Sequence, residues 1–133
     1  MKVPVYVFTL IAVVSMIRSF IHVLAPDGGA GSIAGMDLSA GAPGIIFAFG
    51  LWGSAQLIYA VIQLVVAVRY RALIPFMYVL LMLETLLREL VGHIKPVVFA
   101  HRPPGAVGDY VVLPLAAVML VLSLWKRNAP EAG

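Results

Sequence analysis

Four apolar runs, roughly 5–24, 44–68, 73–94 and 110–125, constrain this chain more than any motif does. A helix crosses the hydrocarbon of a bilayer with about 20 mostly apolar residues at 1.5 Å rise each. The last run is short, but Asp109 and Lys126 mark its ends. In lipid, backbone N–H and C=O groups must be satisfied within the crossing segment, so each run is predicted to be a helix. The alternation of a barrel strand is absent. The expected fold is all-α: a polytopic membrane protein whose single domain, 1–133, packs four transmembrane helices into an antiparallel bundle.

Composition agrees. The chain is 62% hydrophobic and 11% charged, against roughly 45–50% and about 25% in soluble domains. It has no cysteine, which removes disulfides, thiol nucleophiles and thiolate metal sites. Its pI near 9.5 reflects basic residues at helix ends, which argues for orientation in a membrane and against nucleic-acid partners. Lys2, Arg69, Arg71, Lys126 and Arg127 fall on one side, and Lys95 and Arg102 on the other. Five against two places both termini in the cytoplasm. The first run is too long for a signal-peptide core and is interrupted by Arg18, so it reads as a retained helix.

The third run carries Glu84, Arg88 and Glu89 in its second half. Ionised side chains in hydrocarbon cost about 3 kcal/mol or more each, so they persist where they are paired, wet or functional. Glu84 and Arg88 are four apart, in the favourable order for an ion pair, while Glu89 and His93 form a second such pair rotated away from them. The first run carries Ser15, Arg18, Ser19 and His22 on one face. Arg18 there either snorkels to the headgroups or pairs inward. His22 alone, near the membrane surface, reads as a solvated interface residue. Gln56 and Gln63 share a face of the second run, where interhelical hydrogen bonding is the plainest reading. Counted along each helix, Arg18 lies roughly 20 Å from the cytoplasmic side, Glu84 roughly 17 Å and Arg88 roughly 23 Å. Arg18, Gln56, Glu84 and Arg88 can therefore meet on the bundle axis, with His22, His93 and Asp109 above them. Such a cluster either locks the bundle or lines a polar pocket.

The connections add less. Residues 25–43, rich in glycine and alanine, form either a lid or a plain linker. The short basic turn at Arg69–Arg71 predicts that the second and third helices form a hairpin. Pro103-Pro104-Gly105 reads as a helix stop, and Asp109 as the N-cap of the fourth helix. The tail, 128–133, is expected to be disordered.

The Ala25-Pro26 end of the first run, Trp52-Gly53-Ser54-Ala55-Gln56-Leu57 in the second, and the stretch from Arg71 through Leu87-Arg88 carry a resemblance. On them the chain resembles the DoxX-like group of small four-helix bacterial membrane proteins. That resemblance implies a four-helix bundle in a bacterial inner membrane and assigns no activity.

The expected function is that of a non-catalytic integral membrane protein: an accessory subunit, or a binder of a lipid or quinone-like lipophile in an outward-facing polar pocket. Its site residues are Arg18, His22, Gln56, Glu84 and Arg88, with Glu89, His93 and Asp109 secondary. An intramembrane enzyme with Glu84 as acid/base and a small dimeric transporter are the alternatives. No metal set and no cofactor are expected, haem between His22 and His93 being the minor alternative. Membrane lipids, a larger membrane complex or a second copy are the expected partners.

Overall fold

The computed structural model describes residues 2–125. Lys126 and Arg127, the expected basic anchor, and the tail lie outside the described residues. Four α-helices run in chain order: α1 Val3–Leu24, α2 Ala42–Val68, α3 Ile74–Ile94 and α4 Pro104–Trp125, with a short 3-10 turn at Arg71–Leu73 before α3.

Proline opens each of them. Pro4, Pro43 and Pro75 sit in the first turns of α1, α2 and α3, where the missing N–H had no helical partner to lose. α1 stops at Ala25, whose extended backbone is the conformation that a following proline, Pro26, enforces. The same rule corrects the expected start of α4. The helix begins at Pro104 rather than near residue 110, with Ala106 and Val107 both donating to the Pro103 carbonyl. A proline pair halts a helix that arrives at it but pre-organises one that leaves it. Asp109 is consequently inside α4 and is not its N-cap.

α1 packs along α2 and α3 along α4, while α1 also meets α3 and α4. The turn at 69–73 joins α2 to α3, but the two helices touch at few places. The turn thus joins two closely packed helix pairs, α1 with α2 and α3 with α4, in place of a closely packed α2–α3 hairpin. Close approach decides the α1–α2 pair. A Cβ added to Gly53 would come within 2.5 Å of His22 Cβ and 3.1 Å of its backbone carbon. Small residues permit such contact between helices where the surrounding lipid supplies no hydrophobic drive.

The bundle has two unlike ends. Around the 69–73 turn, Phe8, Val66, Ala67, Ile74, Met77, Tyr78, Leu81, Ala116 and Met119 form one apolar cluster. Phe8 and Tyr78 meet edge to face at 5.6 Å, and the Tyr78 hydroxyl donates to the Pro4 carbonyl at 2.7 Å. The other end holds the two longer loops and the polar side chains.

Three helices, α1, α2 and α4, are long and apolar enough to cross a membrane. α3 has 21 residues and carries the acidic and basic side chains Glu84, Arg88 and Glu89, with His93 near its end. Apart from His93, its exposed large side chains are nevertheless apolar, among them Phe76, Leu83, Leu86, Leu87, Leu90 and Val91. Large apolar side chains are exposed on the outer faces of all four helices. A surface this apolar on every side suits hydrocarbon and not water, and the molecule reads as a membrane protein.

Candidate functional site

A ladder of polar contacts crosses all four helices. From α1, the Arg18 guanidinium donates through Nη2 to Gln56 Oε1 on α2 at 3.5 Å. Gln56 Nε2 donates to Glu84 Oε1 on α3 at 2.9 Å. Arg88, one turn along α3, lies 3.9 Å from the same carboxylate and 3.0 Å from Asp109 Oδ1 on α4. The helical spacing between residues 84 and 88 lets one carboxylate face both α2 and its own arginine. Two guanidiniums and two carboxylates balance.

Arg18 turns inward rather than to the headgroups, with its guanidinium 5.6 Å from the centre of the Trp52 ring. His22, expected at a wet interface, is instead buried at 6% exposure. Its ring centre lies 4.7 Å from that of Trp52 and 5.7 Å from that of Phe49. Its Nδ1 is 2.8 Å from the Gly28 carbonyl. A carbonyl only accepts, so Nδ1 carries the proton. Of the serines sharing that stripe, Ser19 is spent locally, donating to the Ser15 carbonyl at 2.7 Å.

Above the ladder lies a cavity of about 590 Å³, within the roughly 300–1,000 Å³ range of small-molecule sites. Val14, Ile17, Phe49, Trp52 and Phe99 give it apolar walls, and Arg18, His22, Arg88, Glu89 and Asp109 give it polar points. Glu89 therefore faces the cavity. His93, one turn further along α3, is exposed and does not line it. The structure thus does not bring His22 and His93 to a common chamber.

Both longer loops close over this end. Ile33 and Ala34 from the first, with Phe99 and Pro103 from the second, line the cavity. The loops are tied together by Ala100 N–H donating to Gly35 O at 2.8 Å and His101 Nε2 donating to Ile33 O at 3.0 Å. Gly35 has φ +71, and a Cβ there would fall 2.7 Å from the His101 ring, so only glycine fits the join. The first loop is stiffened by Asp27, which accepts from Gly29 N–H at 2.8 Å and Ser32 N–H at 2.7 Å. Those donors hold the Asp27 carboxyl at about 2, so it stays ionised throughout the physiological range. Of the two readings of residues 25–43, the lid is the one this geometry favours.

Three features of the site were not legible as such. Asp109, a secondary residue above the expected cluster, belongs to the ladder itself through Arg88, a pairing across 21 residues that carries no helical signal. Trp52 as a wall and residues 33, 34 and 99 as lid follow from contacts distant in sequence. Gln63, by contrast, was expected to bond a neighbouring helix. It is fully buried, its polar neighbour is the Tyr59 hydroxyl one turn back on α2, and neither side chain makes a well-formed hydrogen bond to another helix among the described residues. A buried polar atom left unpaired costs about 1–3 kcal/mol. Gln63→Leu, of similar shape and without polar atoms, is expected to raise the unfolding midpoint in detergent, by about 1 kcal/mol or more. A lowered midpoint would contradict the assignment of Gln63 as a core amide without a well-formed partner.

Set beside known proteins, the chain matches no family model, no curated protein and no solved structure, and what the site does must be argued from its own residues.

Proposed function

We propose that this is a non-catalytic membrane protein that binds a small lipophile in the lidded cavity. In this reading all four helices span, both termini face the cytoplasm, and the cavity opens toward the outer side of a bacterial inner membrane. The observation that carries it is the union of an apolar 590 Å³ chamber with a polar floor, above an end packed shut by side chains. A lipophile enters such a chamber from the bilayer, and the floor orients its polar group.

The burial of the charges of α3 between helices, with Leu86, Leu87 and Leu90 outward, supports a fourth span. Glu84 is engaged by both Gln56 and Arg88, which supports a positioning role over acid/base work. The apolar plug leaves no polar route through a single chain, which weighs against transport by one copy.

Native mass spectrometry tests the reading. The wild-type protein, extracted in mild detergent, is expected to carry a lipophilic adduct. Gly92→Phe is expected to lose it: residue 92 lines the cavity, and a Cβ there meets open space. The ring is therefore expected to take up space in the chamber, and the variant should unfold at the wild-type temperature. An adduct retained in the variant, or none in the wild type, removes the proposal. Orientation is read separately from Ala40→Cys, exposed on the first loop, in a chain without other thiols: a membrane-impermeant maleimide should reach it from the outer side alone.

A further inference from the structure

Resting on the lipophile-binding reading, we infer that the ligand is a lipophilic cation, a hydrophobic group bearing one positive charge, which Glu89 holds against the aromatic wall. The inference begins from charge. The cavity and its floor contain two guanidiniums, Arg18 and Arg88, and three carboxylates, Glu84, Asp109 and Glu89. Arg88 lies against both Glu84 and Asp109, and Arg18 is turned onto Gln56 and the Trp52 ring. Glu89 has no ion pair or hydrogen bond among the described residues, although it is half-buried and lines the cavity. His22 donates from Nδ1 to the Gly28 carbonyl. One negative charge is left over, in a chamber whose other surfaces are almost entirely apolar.

An unpaired carboxylate in an apolar membrane site is expensive unless a cation completes it. Phe49, Trp52 and Phe99 share the same chamber. Aromatic faces attract a cation, and more strongly when it is stripped of water. A hydrophobic anion would meet the same leftover charge, and its attraction would have to come from the unpartnered Nε–H groups of Arg18 and Arg88. The lid, tied by Ala100 and His101 to the first loop, shields the pair from solvent and so strengthens it.

Tetraphenylphosphonium and tetraphenylborate are a matched pair of opposite sign and near-identical shape. Their binding is measured by calorimetry on the detergent-solubilised protein at pH 8, with Gly92→Phe as the baseline for partition into the micelle. Tetraphenylphosphonium is expected to bind above that baseline, with tetraphenylborate at least about tenfold weaker. Glu89→Gln, which touches no rung of the ladder, is expected to weaken the phosphonium roughly tenfold and to leave the unfolding temperature unchanged. Equal or tighter binding of the borate, or a phosphonium affinity unaltered in Glu89→Gln, overturns the cation and leaves the lipophile reading standing. If neither ion binds, the cation assignment fails, and the adduct seen or not seen by native mass spectrometry decides separately on the cavity itself.

Discussion

Arg88→Ala is expected to be the most damaging substitution at the polar end of the bundle, lowering stability by about 3 kcal/mol or more. Arg88 is the rung that joins α3 to α4, and it stands between two carboxylates. Asp109 is largely buried, at 9% side-chain exposure, so truncation leaves its charge between helices without its partner. Removing one partner of a buried pair is far costlier than replacing both by apolar groups of similar volume. Arg88→Met combined with Asp109→Leu is therefore expected to recover most of the loss. Denaturant unfolding in detergent at neutral pH, followed by circular dichroism, measures both. A double variant no more stable than Arg88→Ala would mean that the rung contributes through something other than compensated charge.

The second large effect is steric. Gly53→Ala places a Cβ 2.5 Å from His22 Cβ and within 3.2 Å of the Val23 backbone nitrogen. Backbone cannot yield as a flexible side-chain end does, so α1 has to move away from α2. The expected destabilisation is about 1–3 kcal/mol, with His22 shifted from the cavity wall. Gly50→Ala, one turn back on α2, meets nothing within 4 Å and should be neutral or stabilising by up to about 1 kcal/mol, since helical glycine is itself unfavourable. Equal midpoints for the two variants would show that the approach of α1 to α2 at Gly53 is not tight.

The contrast between these glycines marks what can be read from residues alone. Gly50, Gly53, Ser54 and Ala55 all announce close packing, yet the approach falls at Gly53, because which small residue is used depends on how far α1 is rotated. The convergence of Arg18, Gln56, Glu84 and Arg88 was legible, because a charge buried in an apolar helix must find a partner at its own depth, and depth follows from rise per residue. Asp109 was misplaced because Pro103-Pro104 reads equally as the end of one element or the start of the next. The lid was half-legible: glycine-rich composition allowed it, but the bonds from Gly35 and Ile33 to Ala100 and His101 run through backbone carbonyls and leave no side-chain signature. Gln63 shows the limit of periodicity, which tells which face a residue occupies and not whether that face offers a partner.

The account rests on a bundle that is hollow and polar at the lid end and sealed at the 69–73 end. Single cysteines introduced into this cysteine-free chain, probed in oriented membranes with a membrane-impermeant maleimide, test that directly. Ala34→Cys, at the cavity lining, is expected to react from the outer side only, and Ala116→Cys, fully buried in the apolar cluster, from neither side. Reaction of Ala116→Cys from the cytoplasmic side would reveal a wet path through the bundle and contradict a closed binding chamber.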